Sequence, residues 1–248
     1  HTMLEPMAPF QMKGVIWYQG ESDAGDFGSP MGAEKYGLLF GTMMARWRSL
    51  FRQPGLPFFF VQLTSFGCDG NPDGENWPLL REQQKMLADT VPGCSMAVIH
   101  DYGDLTDIHP KHKQPVGERL ALLALNRLYG LPVTASGPVL QSAALEGDSF
   151  LLTFTECESG LAAGSSDPLS MRGMYAGDDG STVLKGFAVA GPDGLFHWAE
   201  AAIVGNTVCV KSGEVTAPMA LHYGWTNHTQ ANLFNRSGLP ASPFRTMI

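Results

Sequence analysis

Lys13 to Gln19 reads KGVIWYQ, and Gly20 to Ala24 continues it as GESDA. The first stretch is short, mostly apolar, and rich in β-branched and aromatic side chains. That pattern predicts a strand buried on both faces, as in a parallel sheet. The second is small and polar, which suits a loop leaving the strand. Ala33 to Phe51 then carries Tyr36, Leu39, Phe40, Met43, Met44, Trp47 and Leu50 at helical spacing, the mark of an amphipathic helix. The pattern repeats. Pro57 to Leu63 (PFFFVQL) predicts a second strand and Leu79 to Val91 a second helix, closed by Pro92-Gly93. Ser95 to His100 (SMAVIH) predicts a third strand. Pro115 to Tyr129 predicts a third helix, with Gly130 at its end and Pro132 beyond. Three β-then-α units in a row imply a parallel sheet covered by helices on both faces.

After about Gly137 the pattern changes. Ser149–Thr155, Phe187–Ala190, Ala201–Val204, Thr207–Lys211 and Met219–Tyr223 read as short strands, separated by Gly- and Asp-rich turns. The expected architecture is therefore α/β: an incomplete, flavodoxin-like doubly wound sheet over 1–134, then a small antiparallel β-sandwich over 135–248. Three parallel strands alone leave an apolar sheet edge exposed. The sequence thus predicts further strands, supplied by a preceding segment absent from this chain. His1 in place of Met predicts a start at a processing event or a cut in a longer protein.

Composition narrows the function. The chain has 248 residues, with 16 Lys+Arg against 24 Asp+Glu and a net charge of −8. No basic run exists to neutralise phosphates, which argues against a nucleic-acid partner or an anionic membrane. No apolar run reaches the roughly 18 residues of a membrane span. Cys68, Cys94, Cys157 and Cys209 lie far apart without a CxxC pair, which excludes a zinc ribbon or thioredoxin motif. Two disulfides in an exported protein and four buried thiols both fit. Asn227-His-Thr229 and Asn235-Arg-Ser237 match the glycosylation sequon.

In open parallel sheets, ligands bind beyond the carboxyl ends of the strands. Two polar stretches follow strand ends here: Gln19-Gly-Glu-Ser-Asp23 and Asp101-Tyr-Gly-Asp-Leu-Thr-Asp-Ile-His-Pro110. In the second, Asp107 stands two residues before His109. A carboxylate so placed can orient the ring and stabilise its imidazolium; the plainer reading is an Asp that caps a turn. Gln19 and Gly20 offer an amide and an unobstructed backbone N–H, as an oxyanion hole needs. Glu21 could orient a histidine or pair with a surface cation. Gly20-Glu-Ser22-Asp-Ala24 also resembles a nucleophile elbow, although Gly25, Gly28, Pro30 and Gly32 argue against the helix that should follow at once. His100, Asp101, Asp104, Asp107, His109 and His112 form a metal-like set in composition, but none has one-turn His spacing, and no metal is expected. Trp17, Tyr18, Trp47, Trp77 and Trp225 could stack on sugars or fill the core. Trp77, after the polar loop NPDGEN, is the best candidate for a substrate wall.

The strings KGVIWYQGESDA, LPFFFVQL, LLREQQ, DIHPKHKQPVGERLALLAL and LHYGWTNHTQANLFNRSGLPASPFR, in this order, resemble the sialate O-acetylesterase family. These are carbohydrate esterases of the SGNH hydrolase type. The resemblance implies cofactor-free removal of acetyl groups from sialic acid hydroxyls by a Ser–His–Asp mechanism. It implies His109 as the catalytic histidine, Asp107 as its acid with Glu21 as second choice, and Gln19 and Gly20 on the oxyanion loop. It also implies an exported protein: periplasmic, extracellular or lysosomal. Many members carry Asn where this chain has Asp23. No GDS, GQS or GQSN motif occurs, so the nucleophilic serine is expected in a missing N-terminal segment, and the chain alone should have little or no activity. Acetylxylan or another polysaccharide is the alternative substrate. A catalytically silent carbohydrate-binding or structural module, built on 135–248, is the alternative class.

Overall fold

A computed structural model describes residues 3–24, 32–67, 76–164 and 182–248. Three strands, β1 (Val15–Trp17), β2 (Phe58–Val61) and β3 (Cys94–Ala97), form one wholly parallel sheet in the order β1-β2-β3. Helix α1 (Tyr36–Leu50) joins β1 to β2, α2 (Asn76–Thr90) joins β2 to β3, and α3 (Gln114–Leu123) follows β3 and widens into a π-turn at Ala124–Leu128. Side-chain alternation along β2 sorts the two faces. Phe58 and Phe60 pack with Phe40, Met44, Leu80 and Leu87 of α1 and α2. Phe59 and Val61 pack with Val116, Leu120 and Leu123 of α3. α1 and α2 therefore share one face, as two crossovers of the same hand running the same way require, and α3 covers the other.

The predicted burial of the first strand is corrected. β1 is an edge strand, and Ile16 is 71% exposed. Its neighbours Val15 and Trp17 lean onto the α1 side, while α3 covers only the β2 and β3 part of the opposite face. A run composed like a central strand therefore presents one apolar residue to water.

The second half holds eleven strands among the described residues. They are β4 (Val139–Glu146), β5 (Ser149–Thr155), β6 (Leu161–Ala163), β7 (Val183–Leu184), β8 (Phe187–Ala190), β9 (Phe196–Trp198), β10 (Glu200–Val204), β11 (Thr207–Lys211), β12 (Ala220–Tyr223), β13 (Leu233–Asn235) and β14 (Phe244–Met247). They make antiparallel sheets β4-β5-β11-β10-β7 and β14-β12-β8-β9, with β13-β6 as a separate ribbon. Alternate residues Phe150, Leu152, Val208 and Val210 of the first sheet share a core with Phe187, Val189, Leu221 and Tyr223 of the second. β4, β6, β7, β9, β13 and β14 were not anticipated; most are too short for a period of two to emerge.

The two halves are knitted together by buried polar groups. Arg81 of α2 is fully buried. Its guanidinium donates to the carbonyls of Leu63 at 2.9 Å and Thr64 at 2.8 Å, just past β2. It also donates to the carbonyls of Thr226 at 2.7 Å and Asn227 at 2.8 Å, just past β12. Gln62 donates to Ser242 Oγ at 2.9 Å, and the Trp77 backbone N–H donates to Asn227 Oδ1 at 3.3 Å. Asn235 is buried, with its amide on the carbonyls of Ser136 and Glu156 and its oxygen on the Leu239 N–H. Both sequon asparagines are thus used inside the fold. Cys94, Cys157 and Cys209 are free thiols, and Cys68 lies outside the described residues. No helix among the described residues is long and apolar enough to cross a membrane.

Replacing Arg81 by Met keeps the aliphatic stem but takes the donor from the Leu63 and Thr226 carbonyls, while Thr64 O keeps the Trp77 indole N–H and Asn227 O keeps the Phe66 N–H. We expect a loss of about 3 kcal/mol or more, measured as a lowered urea midpoint, with Asn227→Ala giving a smaller loss.

Candidate active site

The exits of β1 and β2 are held by α2 and α1. Gln84 is buried and takes the Leu63 N–H on Oε1 at 2.7 Å. Its amide nitrogen donates to Val61 O at 3.2 Å and reaches Gln19 O at 3.5 Å. The Tyr36 hydroxyl also donates to Gln19 O, at 2.9 Å. Burial pushes that phenol up to about 12, so it remains a donor at neutral pH. Gly20 is closely packed: a Cβ there would stand 3.0 Å from Leu80 Cδ2, and that side chain would have to give way. The chain then turns through a single 3-10 turn, Glu21–Ala24, and the Gln19 side-chain amide donates to the Asp23 carboxylate.

The exit of β3 lies against that of β2. A Cβ on Gly103 would fall 2.2 Å from Ser65 O, so only glycine permits the approach. Asp104 pairs its N–H with Ser65 O at 3.2 Å. Its Oδ1 accepts the N–H groups of Thr106 at 2.8 Å and Asp107 at 3.0 Å. These bonds, Thr106 first, hold the Asp104 carboxyl below the usual carboxylate range. Asp107 repeats the device: Oδ1 accepts the His109 backbone N–H at 2.9 Å. The same oxygen stands 3.7 Å from His109 Nδ1, beyond hydrogen-bond reach. Asp107 thus caps the turn and stands beside the ring at once.

The His109 side chain is 88% exposed. It opens onto a cleft of about 460 Å³ at the carboxyl rim. Tyr18, Gln19, Glu21 and Ser22 line it from the β1 side; Ile108, His109 and Lys113 line it from the β3 side. The two polar stretches picked out in the sequence meet here. Lys113 was not singled out there, because a lone lysine carries no spacing signal. Gly103 and Gln84 were also missed, since each acts through a close approach between distant segments.

Several candidates fall elsewhere. Trp77 is corrected: it is fully buried, with Nε1 donating to Thr64 O at 2.7 Å and its ring 5.6 Å from Phe66. It cannot wall a substrate site. Trp17 stacks on Phe40 at 5.6 Å, with Trp47 edge-on at 6.0 Å, and Trp225 is buried under Arg245. Ser22 is exposed and borders the cleft. Left-handed backbone among described non-glycine residues occurs only at Arg52 and Glu156, so Ser22 lacks the strained geometry of a nucleophile elbow.

The metal-like set is dispersed. Asp101 is locked to Arg119 through two contacts of 2.6 Å, and His112 lies beside Tyr102. Among the described residues no three His, Cys, Asp or Glu groups gather to hold a metal ion. His100 is buried, with Nε2 facing Ala241 O at 3.1 Å and Nδ1 without a partner. Burial pushes its imidazole down to about 4, against the opposing charge of Asp101.

A family model described as carbohydrate esterase, sialic acid-specific acetylesterase, matches residues 2–126, half of the chain. The chain belongs to that carbohydrate esterase family. It is 31% identical to a rat sialate O-acetylesterase over 62% of this chain and 31% of that protein. It is 27% identical to the human sialate O-acetylesterase over 100% of this chain and 48% of that one. Among solved structures, a carbohydrate acetylesterase from Xanthomonas citri matches with a TM-score of 0.84 at 41% identity, covering 98% of this chain and 52% of that one. The chain therefore spans about a third to a half of the length of these relatives.

The His100 ring provides a test of the packing behind the site. Unfolded, it takes up a proton near pH 6.5; folded, only near pH 4. Between those values the unfolded state binds more protons, so stability falls as pH drops. The full effect is about 3 kcal/mol. His100→Gln, which retains a donor toward Ala241, should lack this component. Urea denaturation at pH 7 and pH 4.5 should show a shallower pH slope in the variant.

Proposed function

We propose that this chain supplies the histidine-bearing side of a carbohydrate O-acetylesterase active site that hydrolyses acetyl esters of sialic acids. The carrying observation is the shared cleft: an exposed imidazole beside a carboxylate faces the Gln19–Glu21 turn across the strand exits. Family membership supplies the reaction class.

The nucleophile is a serine hydroxyl outside this chain. Three facts support that reading. Ser22, though in the cleft, has no elbow geometry. Among the described residues β1 pairs on one side only, with Ile16 in water. The chain covers only part of its relatives' length. A strand pairing with β1 in parallel would end at this same rim and could deliver the hydroxyl there.

The chemistry follows from the groups. His109 takes the serine proton as the oxygen attacks the acetyl carbonyl carbon. The imidazolium that forms is stabilised by Asp107, whose carboxylate needs only a small side-chain rotation to close on Nδ1. Glu21 is the alternative acid. Gln19 has two amide hydrogens; one is held by Asp23, and the other can serve the tetrahedral oxyanion together with backbone N–H groups. His109 returns the proton to the departing sugar oxygen. It then activates water, which releases acetate and restores the serine.

Assayed with 4-nitrophenyl acetate, this chain should give little rate above buffer, and Ser22→Ala should change nothing. In the natural full-length protein, His109→Ala should lower kcat by at least about 10³-fold. Asp107→Asn and Glu21→Gln compared in that background identify the orienting acid by the larger loss. A rate in this chain that Ser22→Ala abolishes would overturn the proposal.

A further inference from the structure

Lys113 precedes α3 immediately and stands four residues beyond His109. It lines the cleft with its ammonium 4.8 Å from the centroid of the Tyr18 ring. Its side chain is exposed, and among the described residues it makes no ion pair. No side chain caps the first turn of α3, so the positive end of that helix dipole adds to the lysine charge. The ring face restrains a side chain that would otherwise be mobile. Such a pre-placed cation loses less freedom on binding an anion.

The opposite charge lies in the same cleft. Glu21 follows β1, and its carboxylate, after burial, is the second cause that holds the Tyr18 phenol above the ordinary tyrosine range. An acid group entering the cleft is repelled by Glu21 and attracted by Lys113. One orientation is favoured and the reverse disfavoured, the pairing of attraction with repulsion that specificity requires.

We propose that Lys113 is a specificity-determining residue that binds the carboxylate of an acidic sugar while its acetyl ester lies against Gln19 and His109. This deepens the esterase reading above and rests on it. A neutral sugar ester gains nothing from the lysine. An ion pair this exposed is modest, so its loss should cost roughly two- to fivefold in kcat/KM, chiefly through KM. The effect should shrink as ionic strength rises.

The test uses the natural full-length protein with two substrates that differ by one charge: 9-O-acetyl-N-acetylneuraminic acid and the methyl ester of its carboxyl group. Wild type should prefer the free acid. Lys113→Gln should erase that preference, with the loss falling chiefly on the free acid, and Lys113→Arg should restore it. A preference that survives in Lys113→Gln overturns the proposal. So does an equal loss on both substrates, which would mean that Lys113 serves to neutralise Glu21. If wild type cleaves neither ester, the esterase reading fails by itself. Binding then decides this inference: NMR titration of the chain with N-acetylneuraminic acid and its methyl ester should show a preference for the acid that Lys113→Gln removes. Equal binding of the two by wild type would overturn it.

Discussion

The guanidinium of Arg81 is the contact on which the arrangement of this molecule depends. Four backbone carbonyls from two distant segments converge on it in a site closed to water. Carbonyls that leave a strand must find donors or remain costly. One planar side chain with five N–H groups meets that demand for the exit of β2 and for the return segment after β12 together. Gln84, one helical turn further along α2, does the same for the exits of β1 and β2. A single helix therefore sets the height of the rim on which the cleft is built.

The loop after β3 is rigid for a different reason. Two successive aspartates, Asp104 and Asp107, each accept backbone N–H groups from the residues that follow. Gly103 lets this loop lie against Ser65 with no side chain between. Bidentate pairing of Asp101 with Arg119 fastens the loop to α3 beneath it. His109 rises from this base into solvent, and Lys113 rises from the start of the same helix. Their spacing along one wall of the cleft is a property of backbone that is already satisfied, so little reorganisation is needed when a substrate arrives.

Much of the first half was legible because its chemistry is local. Apolar runs without alternation gave the three parallel strands, and residues at helical spacing gave the helices between them. The two rim loops were recognisable as polar stretches after strands. Trp77 was misjudged for a reason that is equally physical. A polar loop beside a tryptophan looks like a binding surface in one dimension, but the indole N–H finds the Thr64 carbonyl and the ring turns inward. The shorter strands of the second half escaped notice because two to four residues cannot display a period of two. The long β4 escaped because it carries few deeply buried side chains to mark a face.

By itself the sequence determined the order of strands and helices, the polar rim, and the Asp–His pair, since each is written in neighbouring residues. Tertiary structure alone decided that Lys113 and Glu21 share a cleft with His109, that Arg81 bridges the halves, and that β1 lies at an edge. Those outcomes depend on which distant segments approach within a few ångströms. The approach is settled by glycines without side chains, by buried donors seeking carbonyls, and by the hand of the crossovers, none of which a linear pattern displays.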